Sequence, residues 1–195
     1  QSIQEINSQQ RNIKSAIAMN QSMINKYKTD RKTYERAERE LARQSASIQS
    51  MIARNRGGST VKITSTGFMR PIGGRITSPF GWRTHPIFNS RTFHSGVDIA
   101  GPNHGSIHAS NSGKVIYAGW YGGYGKVVIL DHGVVNGRPT TTLYAHMSSI
   151  RVGQGQFVHK GDVVGYEGTT GYSTGPHVHF EVRINGKPNN PLNYI

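Results

Sequence analysis

The chain has 195 residues, with 23 Lys and Arg against 10 Asp and Glu, and it contains no Cys. The absence of Cys excludes a disulfide framework, a thiolate zinc site and a cysteine nucleophile, and no apolar run approaches the roughly 18 residues of a membrane span. The net charge of +13 predicts attraction to polyanions such as acidic wall polymers. Neither half of the chain holds the dense basic cluster with interleaved aromatics of a nucleic-acid surface. We therefore expect no nucleic-acid partner and no membrane span in this fragment.

Composition divides the chain near Gly57. Residues 1–56 contain no Gly, Pro or His, whereas residues 57–195 contain every Gly, Pro and His of the chain. This contrast predicts a helical segment over residues 1–56, a Ser/Thr/Gly-rich linker over residues 57–68 and a folded domain over residues 69–195.

The first segment has a repeating pattern of apolar residues. Of the 15 positions spaced alternately by three and four from Ile3 to Ile52, ten are apolar, which is typical of the seam of a coiled coil. We predict a long α-helical coiled-coil segment, as one helix or a helical hairpin, that binds a coiled-coil protein partner or undergoes self-association. The alternative interpretation is an amphipathic helix packed on its own domain. Five polar residues interrupt the seam. Such residues often determine the register of a coiled coil or the choice of its partner helix. They are Gln10, Asn20, Arg31, Glu38 and Ser45.

The rest of the chain is predicted to be β structure. Short runs of β-branched or aromatic residues alternate with Gly-containing turns, and no stretch after Gly58 sustains a helical period without Gly or Pro. The strand candidates include residues 126–130, 140–144, 163–166 and 177–184. The sequence therefore predicts a mainly β fold, with an all-β domain of roughly 125 residues after the helical segment.

The last of these strand candidates carries two histidines on one face. Its even-numbered residues from 178 to 184 are apolar and are expected to face the core, so His177, His179 and Glu181 share the opposite face. Imidazoles at positions i and i+2 present two nitrogens to one small site. From this segment alone, a polar strand face with two incidental histidines is an equally open interpretation.

A second segment, His94-Ser95-Gly96-Val97-Asp98, places a histidine and a carboxylate four residues apart. Gly96 and the surrounding β pattern argue against a helical metal site, but a turn followed by a strand can converge both side chains on one ion. With the His-x-His segment they supply two imidazole nitrogens and a carboxylate, the three ligands that leave a catalytic zinc one open position. His146 stands at a predicted strand end, where a side chain can face a cleft. For most of the remaining histidines in turn-like or polar context, the surface is the expected location; these histidines are His85, His104, His108, His132 and His159.

Four motifs in order resemble the lysostaphin/LytM-type zinc peptidases, the M23 peptidase family, over residues 69–195. The resemblance implies a small antiparallel β-sheet domain with a groove and Zn2+ as the cofactor. It implies that His94, Asp98 and His179 are the zinc ligands. It also implies that His146 and His177 are catalytic, because they orient or deprotonate the zinc-activated water and stabilise the developing oxyanion. The motifs are Pro71-Ile72-Gly73-Gly74-Arg75-Ile76-Thr77-Ser78-Pro79-Phe80-Gly81-Trp82-Arg83, His94-Ser95-Gly96-Val97-Asp98-Ile99-Ala100, Tyr144-Ala145-His146-Met147-Ser148 and Gly171-Tyr172-Ser173-Thr174-Gly175-Pro176-His177-Val178-His179-Phe180-Glu181.

The function that the resemblance implies is a zinc-dependent peptidoglycan endopeptidase, a metallopeptidase that hydrolyses amide bonds in cell-wall peptide stems or cross-links. Peptidoglycan would then be its substrate, and the protein would act outside the cytoplasm, in the periplasm or cell wall. The alternative is a non-hydrolytic cell-division factor that activates a separate peptidoglycan amidase through its LytM-like domain and coiled coil. Such members lack several ligand or catalytic residues, whereas this chain retains all five, so we favour the hydrolase. For Glu181 two interpretations are open, a partner that fixes the tautomer of a ligand histidine or a solvent-facing strand residue.

Overall fold

The structure is a computed structural model that describes residues 3–55, 67–85 and 87–195. Most of the predicted linker therefore lies outside the described residues. The described chain forms one long helix, α1 (Ile3–Asn55), then short strands and two single-turn 3₁₀ helices, Gly122–Tyr124 and Pro191–Asn193. The strands are β1 (Arg75–Ser78), β2 (Gly81–Thr84), β3 (Arg91–His94), β4 (Val97–Ala100), β5 (Ser106–His108), β6 (Gly113–Trp120), β7 (Lys126–Val135), β8 (Arg138–Met147), β9 (Ser149–Ile150), β10 (Phe157–Val158), β11 (Val163–Tyr166), β12 (Val178–Ile184) and β13 (Lys187–Asn189).

Helix α1 contributes to two compact units, one that ends at Arg39 and one that runs from Glu40 to Ile195. In the first unit, Ile13 and Ile17 of the apolar repeat are 59% and 62% exposed. A single helix with an exposed apolar stripe fits the predicted coiled-coil segment, and the partner of that stripe stays a prediction, as do the boundaries at residues 56 and 69. None of the described helices is both long and apolar enough to cross a membrane.

Antiparallel pairing organises the second unit, as the mainly β prediction requires. The main sheet has the strand order β1-β4-β12-β8-β7-β6-β10, with β13 also paired to β12, and separate sheets have the orders β5-β11-β9 and β2-β3. Strand β12 therefore lies between β4 and β8. The pairing places His179 opposite Asp98 on one side and opposite Ala145 on the other.

The central strands of the main sheet are buried on both faces. On β7, Val128 belongs to a core cluster shared with β5 and β11, whereas its neighbour Val127 belongs to a cluster shared with Ile48 and Ile52 of α1. Ile48 and Ile52 are 0% and 3% exposed, and burying an isoleucine side chain stabilises a fold by about 1.5–3 kcal/mol. The interpretation of an amphipathic helix packed on its own domain therefore describes the C-terminal part of α1.

Strand β12 follows the predicted alternation, but its polar face is not exposed to solvent. Glu181 and Arg183 are fully buried, because Tyr124 and α1 lie over that face. The solvent-facing interpretation of Glu181 is therefore wrong. His132, one of the group of histidines for most of which the surface was expected, is fully buried as well.

Candidate active site

Three side chains predicted as metal ligands converge on one point. His94 ends β3, Asp98 lies on β4 and His179 lies on β12. Asp98 Oδ1 is 3.1 Å from His94 Nε2 and 2.9 Å from His179 Nδ1, and the two ring nitrogens are 3.0 Å apart. Since β4 pairs with β12 in the register that opposes Asp98 and His179, the sheet itself brings two of the three groups together.

The third group, His94, reaches the site because the turn after it packs tightly. A Cβ atom at Gly96 would overlap the backbone carbonyl of Phe180 on β12. Glycine at this position therefore allows the chain between β3 and β4 to lie directly against β12. Glycine is thus required here for its small size, a reason beyond its disfavouring of a helix.

The donor atoms fit a zinc ion in type, number and spacing. Tetrahedral zinc with bonds of about 2.0–2.1 Å holds its ligand atoms about 3.3–3.4 Å apart, and the three separations here are 2.9–3.1 Å. Two imidazoles and one carboxylate also match the ligand number of catalytic zinc sites, which keep a fourth position for water or substrate.

Hydrogen bonds on the outer side of each ring determine which nitrogen faces the site. His94 Nδ1 lies 2.8 Å from the carbonyl oxygen of Pro79, and His179 Nε2 lies 3.1 Å from Glu181 Oε1. A ring that donates its proton outward leaves the lone pair of its other nitrogen available to a metal. Glu181 thus makes the contact expected of a residue that fixes the tautomer of His179.

A buried network continues outward from Glu181. Its carboxylate accepts hydrogen bonds from Ser95 Oγ at 2.5 Å, from the Tyr124 hydroxyl at 3.1 Å and from Arg183 Nε at 2.5 Å. Arg183 also donates to Ser45 of α1, to the carbonyl oxygen at 3.1 Å and to the hydroxyl oxygen at 2.8 Å. No role was predicted from the sequence for these partners. Strand alternation was the one available signal, because it places Arg183 on the same face as Glu181.

The two predicted catalytic histidines lie beside the ligands. The ring centroids of His146 and His177 are 4.8 Å apart, and His177 Nε2 is 3.7 Å from Asp98 Oδ1. Each ring is anchored through Nδ1, which donates to the carbonyl of Thr170 at 2.7 Å for His146 and to that of Gly175 at 2.8 Å for His177. The Nε2 atom of each ring is therefore the one left for reacting groups.

A β-bulge places His146 in the site. In the pairing of β7 with β8, Ala145 and His146 together oppose the single residue Val127. His146 has a φ of 60°, in the left-handed region that histidine enters more readily than most residues with a side chain. Regular alternation would point His146 into the core beside Tyr144, so the extra residue redirects the side chain.

Burial and neighbouring charges shift the pKa of several groups here. Burial lowers the pKa of His146 to about 3, with a further contribution from His179. Burial alone would raise the pKa of Asp98, but hydrogen bonds from His179 and His94 outweigh it and hold that pKa far below its ordinary value. Burial alone would lower the pKa of His179, but Asp98 and Glu181 raise it to about 9. At neutral pH a metal ion would therefore displace a proton shared by these groups.

Comparison with known proteins identifies the class to which this fold and site belong. Residues 92–191, about half of the chain, match the family described as Peptidase family M23. The chain therefore belongs to Peptidase family M23, which confirms the resemblance based on the four motifs.

Individual relatives cover the β domain. The DD-carboxypeptidase/endopeptidase Mpg of Neisseria meningitidis is 48% identical over 118 residues, which are 60% of this chain and 26% of the relative. The peptidoglycan DD-endopeptidase ShyA of Vibrio cholerae is 35% identical over 119 residues, which are 60% of this chain and 27% of the relative. A crystal structure of a zinc-containing peptidase from Vibrio cholerae is 32% identical with a TM-score of 0.58, and the match covers 64% of this chain and 39% of that one. This chain thus spans about a quarter of the length of the curated relatives it matches.

Proposed function

We propose that this chain is a zinc-dependent peptidoglycan endopeptidase that hydrolyses amide bonds in cell-wall peptide stems or cross-links. The observation that carries the proposal is the convergence of a three-ligand donor set with two further histidines, each anchored through Nδ1 so that its Nε2 is left for reacting groups. Membership of Peptidase family M23 and the endopeptidase names of two relatives support the reaction class. A zinc-containing structural relative supports the choice of metal. The five residues are His94, Asp98 and His179 as ligands and His146 and His177 as catalytic groups.

The five residues have different roles in the proposed hydrolysis. When bound by the three ligands, zinc supplies a Lewis acid that polarises the scissile carbonyl and makes a water molecule more acidic. His146 is neutral at pH 7 and anchored through Nδ1, so its Nε2 accepts the proton of the attacking water. His177, anchored in the same way, stabilises the oxygen that becomes negatively charged during attack.

We infer that the protein acts in the cell envelope, in the periplasm or cell wall, because its proposed substrate lies there. The net charge of +13 would help to hold the protein on anionic wall polymers. Such an attraction between exposed charges is screened by salt. Binding to purified peptidoglycan should therefore weaken as ionic strength rises.

The experiment that tests the proposed function is digestion of purified peptidoglycan by the full chain, with its zinc content measured and the released fragments identified by mass spectrometry. We expect fragments that carry newly cleaved peptide bonds, their loss with a chelator and their return when zinc is restored. The matched control is the zinc-loaded variant His146→Ala, which should release no such fragments. A zinc-loaded wild-type protein that releases nothing from peptidoglycans of several chemistries, yet stimulates a separate amidase, would overturn the proposal in favour of the non-hydrolytic factor.

A further inference from the structure

We propose that the C-terminal part of α1 is a brace of the active site, in which two consecutive residues position different parts of it. In this helix brace, defined by Gln44 and Ser45, Ser45 holds the metal ligand His179 in place through buried side chains, and Gln44 holds His146 in place through two loops. The inference rests on the proposed function, because the positioned groups are a zinc ligand and a catalytic histidine. Gln44 and Ser45 are positioning residues and touch neither metal nor substrate.

The first path runs through the buried face of β12. The Ser45 hydroxyl accepts a hydrogen bond from Arg183 Nη2 at 2.8 Å, Arg183 Nε donates to Glu181 Oε2 at 2.5 Å, and Glu181 Oε1 lies 3.1 Å from His179 Nε2. Arg183 and Glu181 are both fully buried. A buried ion pair keeps its geometry only while its remaining hydrogen bonds are satisfied. Loss of the Ser45 hydroxyl therefore loosens the partner that orients a metal ligand.

The second path runs through two backbone loops. Gln44 Oε1 accepts a hydrogen bond from the Gly123 amide at 2.9 Å, and the Gly123 carbonyl accepts one from the Tyr172 amide at 2.7 Å. Two residues before Tyr172, the Thr170 carbonyl accepts the hydrogen bond from His146 Nδ1 at 2.7 Å. The position of the His146 ring thus depends on a loop that contacts the segment held by Gln44.

Close packing gives these loops little freedom to move independently of the helix. A Cβ atom at Gly122 would overlap the side-chain amide of Gln44, and a Cβ atom at Gly171 would overlap the carbonyl oxygen of Gly123. Because packed interiors transmit small displacements rather than absorbing them, a shift of Gln44 reaches the Thr170 carbonyl. The C-terminal part of helix α1 therefore supports the site.

The test compares Ser45→Ala and Gln44→Ala in the full chain with matched controls, Ser50→Ala and Gln21→Ala, at exposed positions of the same helix. Alanine favours helices, so these changes should leave α1 intact. The measurements are the zinc dissociation constant by competition with a coloured chelator, kcat and KM of zinc-saturated protein, and Tm.

We expect Ser45→Ala to raise the zinc dissociation constant about threefold to tenfold, since direct loss of a hydrogen-bond partner of a ligand weakens zinc binding about 10–100-fold. Ser45→Thr keeps the hydroxyl and should restore the affinity. Gln44→Ala should lower kcat about fivefold to tenfold in zinc-saturated protein with KM unchanged, because misplacement of a catalytic group by about 1 Å can cost 100-fold in rate.

Two results would overturn the inference, and they differ from failure of the proposed function. If wild-type protein binds zinc and hydrolyses peptidoglycan, but both variants match their controls in zinc affinity and kcat, the helix brace is wrong. If both variants change Tm alone, Gln44 and Ser45 stabilise the fold without positioning the site, and the inference is again wrong. If the wild type binds no zinc or cleaves nothing, the proposed function itself is wrong, and the helix brace, which depends on it, is wrong as well.

Discussion

At the scale of single residues, the five converging side chains form two groups, the proposed zinc ligands and the proposed catalytic histidines. Substitutions in the two groups should have different effects on zinc binding. His94→Ala or Asp98→Ala removes one of the three proposed zinc ligands, so we expect loss of both bound zinc and activity. His146→Ala or His177→Ala leaves the ligands intact, so zinc should stay bound while turnover falls at least about 100-fold. Metal analysis beside turnover of peptidoglycan measures both effects. Wild-type turnover by His146→Ala would show that this ring does not accept the proton.

His132 makes the fold sensitive to acid at a position outside the candidate site. Its Nδ1 donates to the Ser112 carbonyl at 2.7 Å, its Nε2 lies 2.8 Å from Thr142 Oγ1, and burial lowers its pKa from 6.5 to about 4. Between those values the unfolded chain binds a proton that the folded chain does not. The stability contributed by neutral His132 is therefore fully present above pH 6.5 and is lost as the pH falls toward 4, by about 2–3 kcal/mol.

Urea unfolding at pH 7 and pH 4.5 measures this effect. His132→Asn retains a donor for the Ser112 carbonyl and does not titrate, so its free energy of unfolding should fall less between the two pH values than that of the wild type. The variant starts from a lower stability because the contact with Thr142 is lost. An equal fall in both proteins would assign the acid sensitivity to other groups.

At the scale of elements, the turn at Gly171 connects the loop that accepts the hydrogen bond of His146 to the loop that contacts Gln44 of α1. Gly171 and Gly137 share a φ of 74°, but open space surrounds a Cβ at Gly137, whereas one at Gly171 would overlap the backbone of Gly123 and Gly125. Gly137→Ala should cost the left-handed penalty of about 1–2 kcal/mol. Gly171→Ala should cost about 2 kcal/mol more and should lower kcat, because Thr170 moves with the turn. Unfolding and turnover measurements on zinc-loaded protein would contradict this if the two variants behaved alike.

Local patterns predicted much of the site, but not the contacts that complete it. Alternation along residues 177–184 predicted that His177 and His179 share one face, and the motif around Asp98 supplied a carboxylate as the third predicted donor. The bulge at His146 has no sequence signature, because it depends on how β8 pairs with β7. The hydrogen bonds between Arg183 and Ser45 join residues 138 positions apart. A pattern within a short stretch of sequence therefore cannot predict them. The helical repeat could not reveal that its last turns pack on the domain, since an apolar seam suits a partner helix and a sheet face equally.

At the scale of the whole molecule, the question is where the functional domain begins. Without residues 40–55, the core cluster of Ile129 and Leu143 loses Ile48 and Ile52, which contribute about 3–6 kcal/mol of burial together. We expect a fragment of residues 40–195 to keep the stability and zinc affinity of the full chain.

A fragment of residues 67–195 should unfold at lower urea concentration, bind a hydrophobic dye through its uncovered sheet face and hold zinc more weakly, because Arg183 loses its acceptors on Ser45. Urea unfolding, dye fluorescence and zinc titration of both fragments beside the full chain measure this. Equal stability and zinc affinity would place the boundary after α1, near the predicted linker. Greater activity of the shorter fragment would mean that α1 inhibits the site. Weaker zinc binding by the shorter fragment alone would show that the peptidase unit includes the end of its helix.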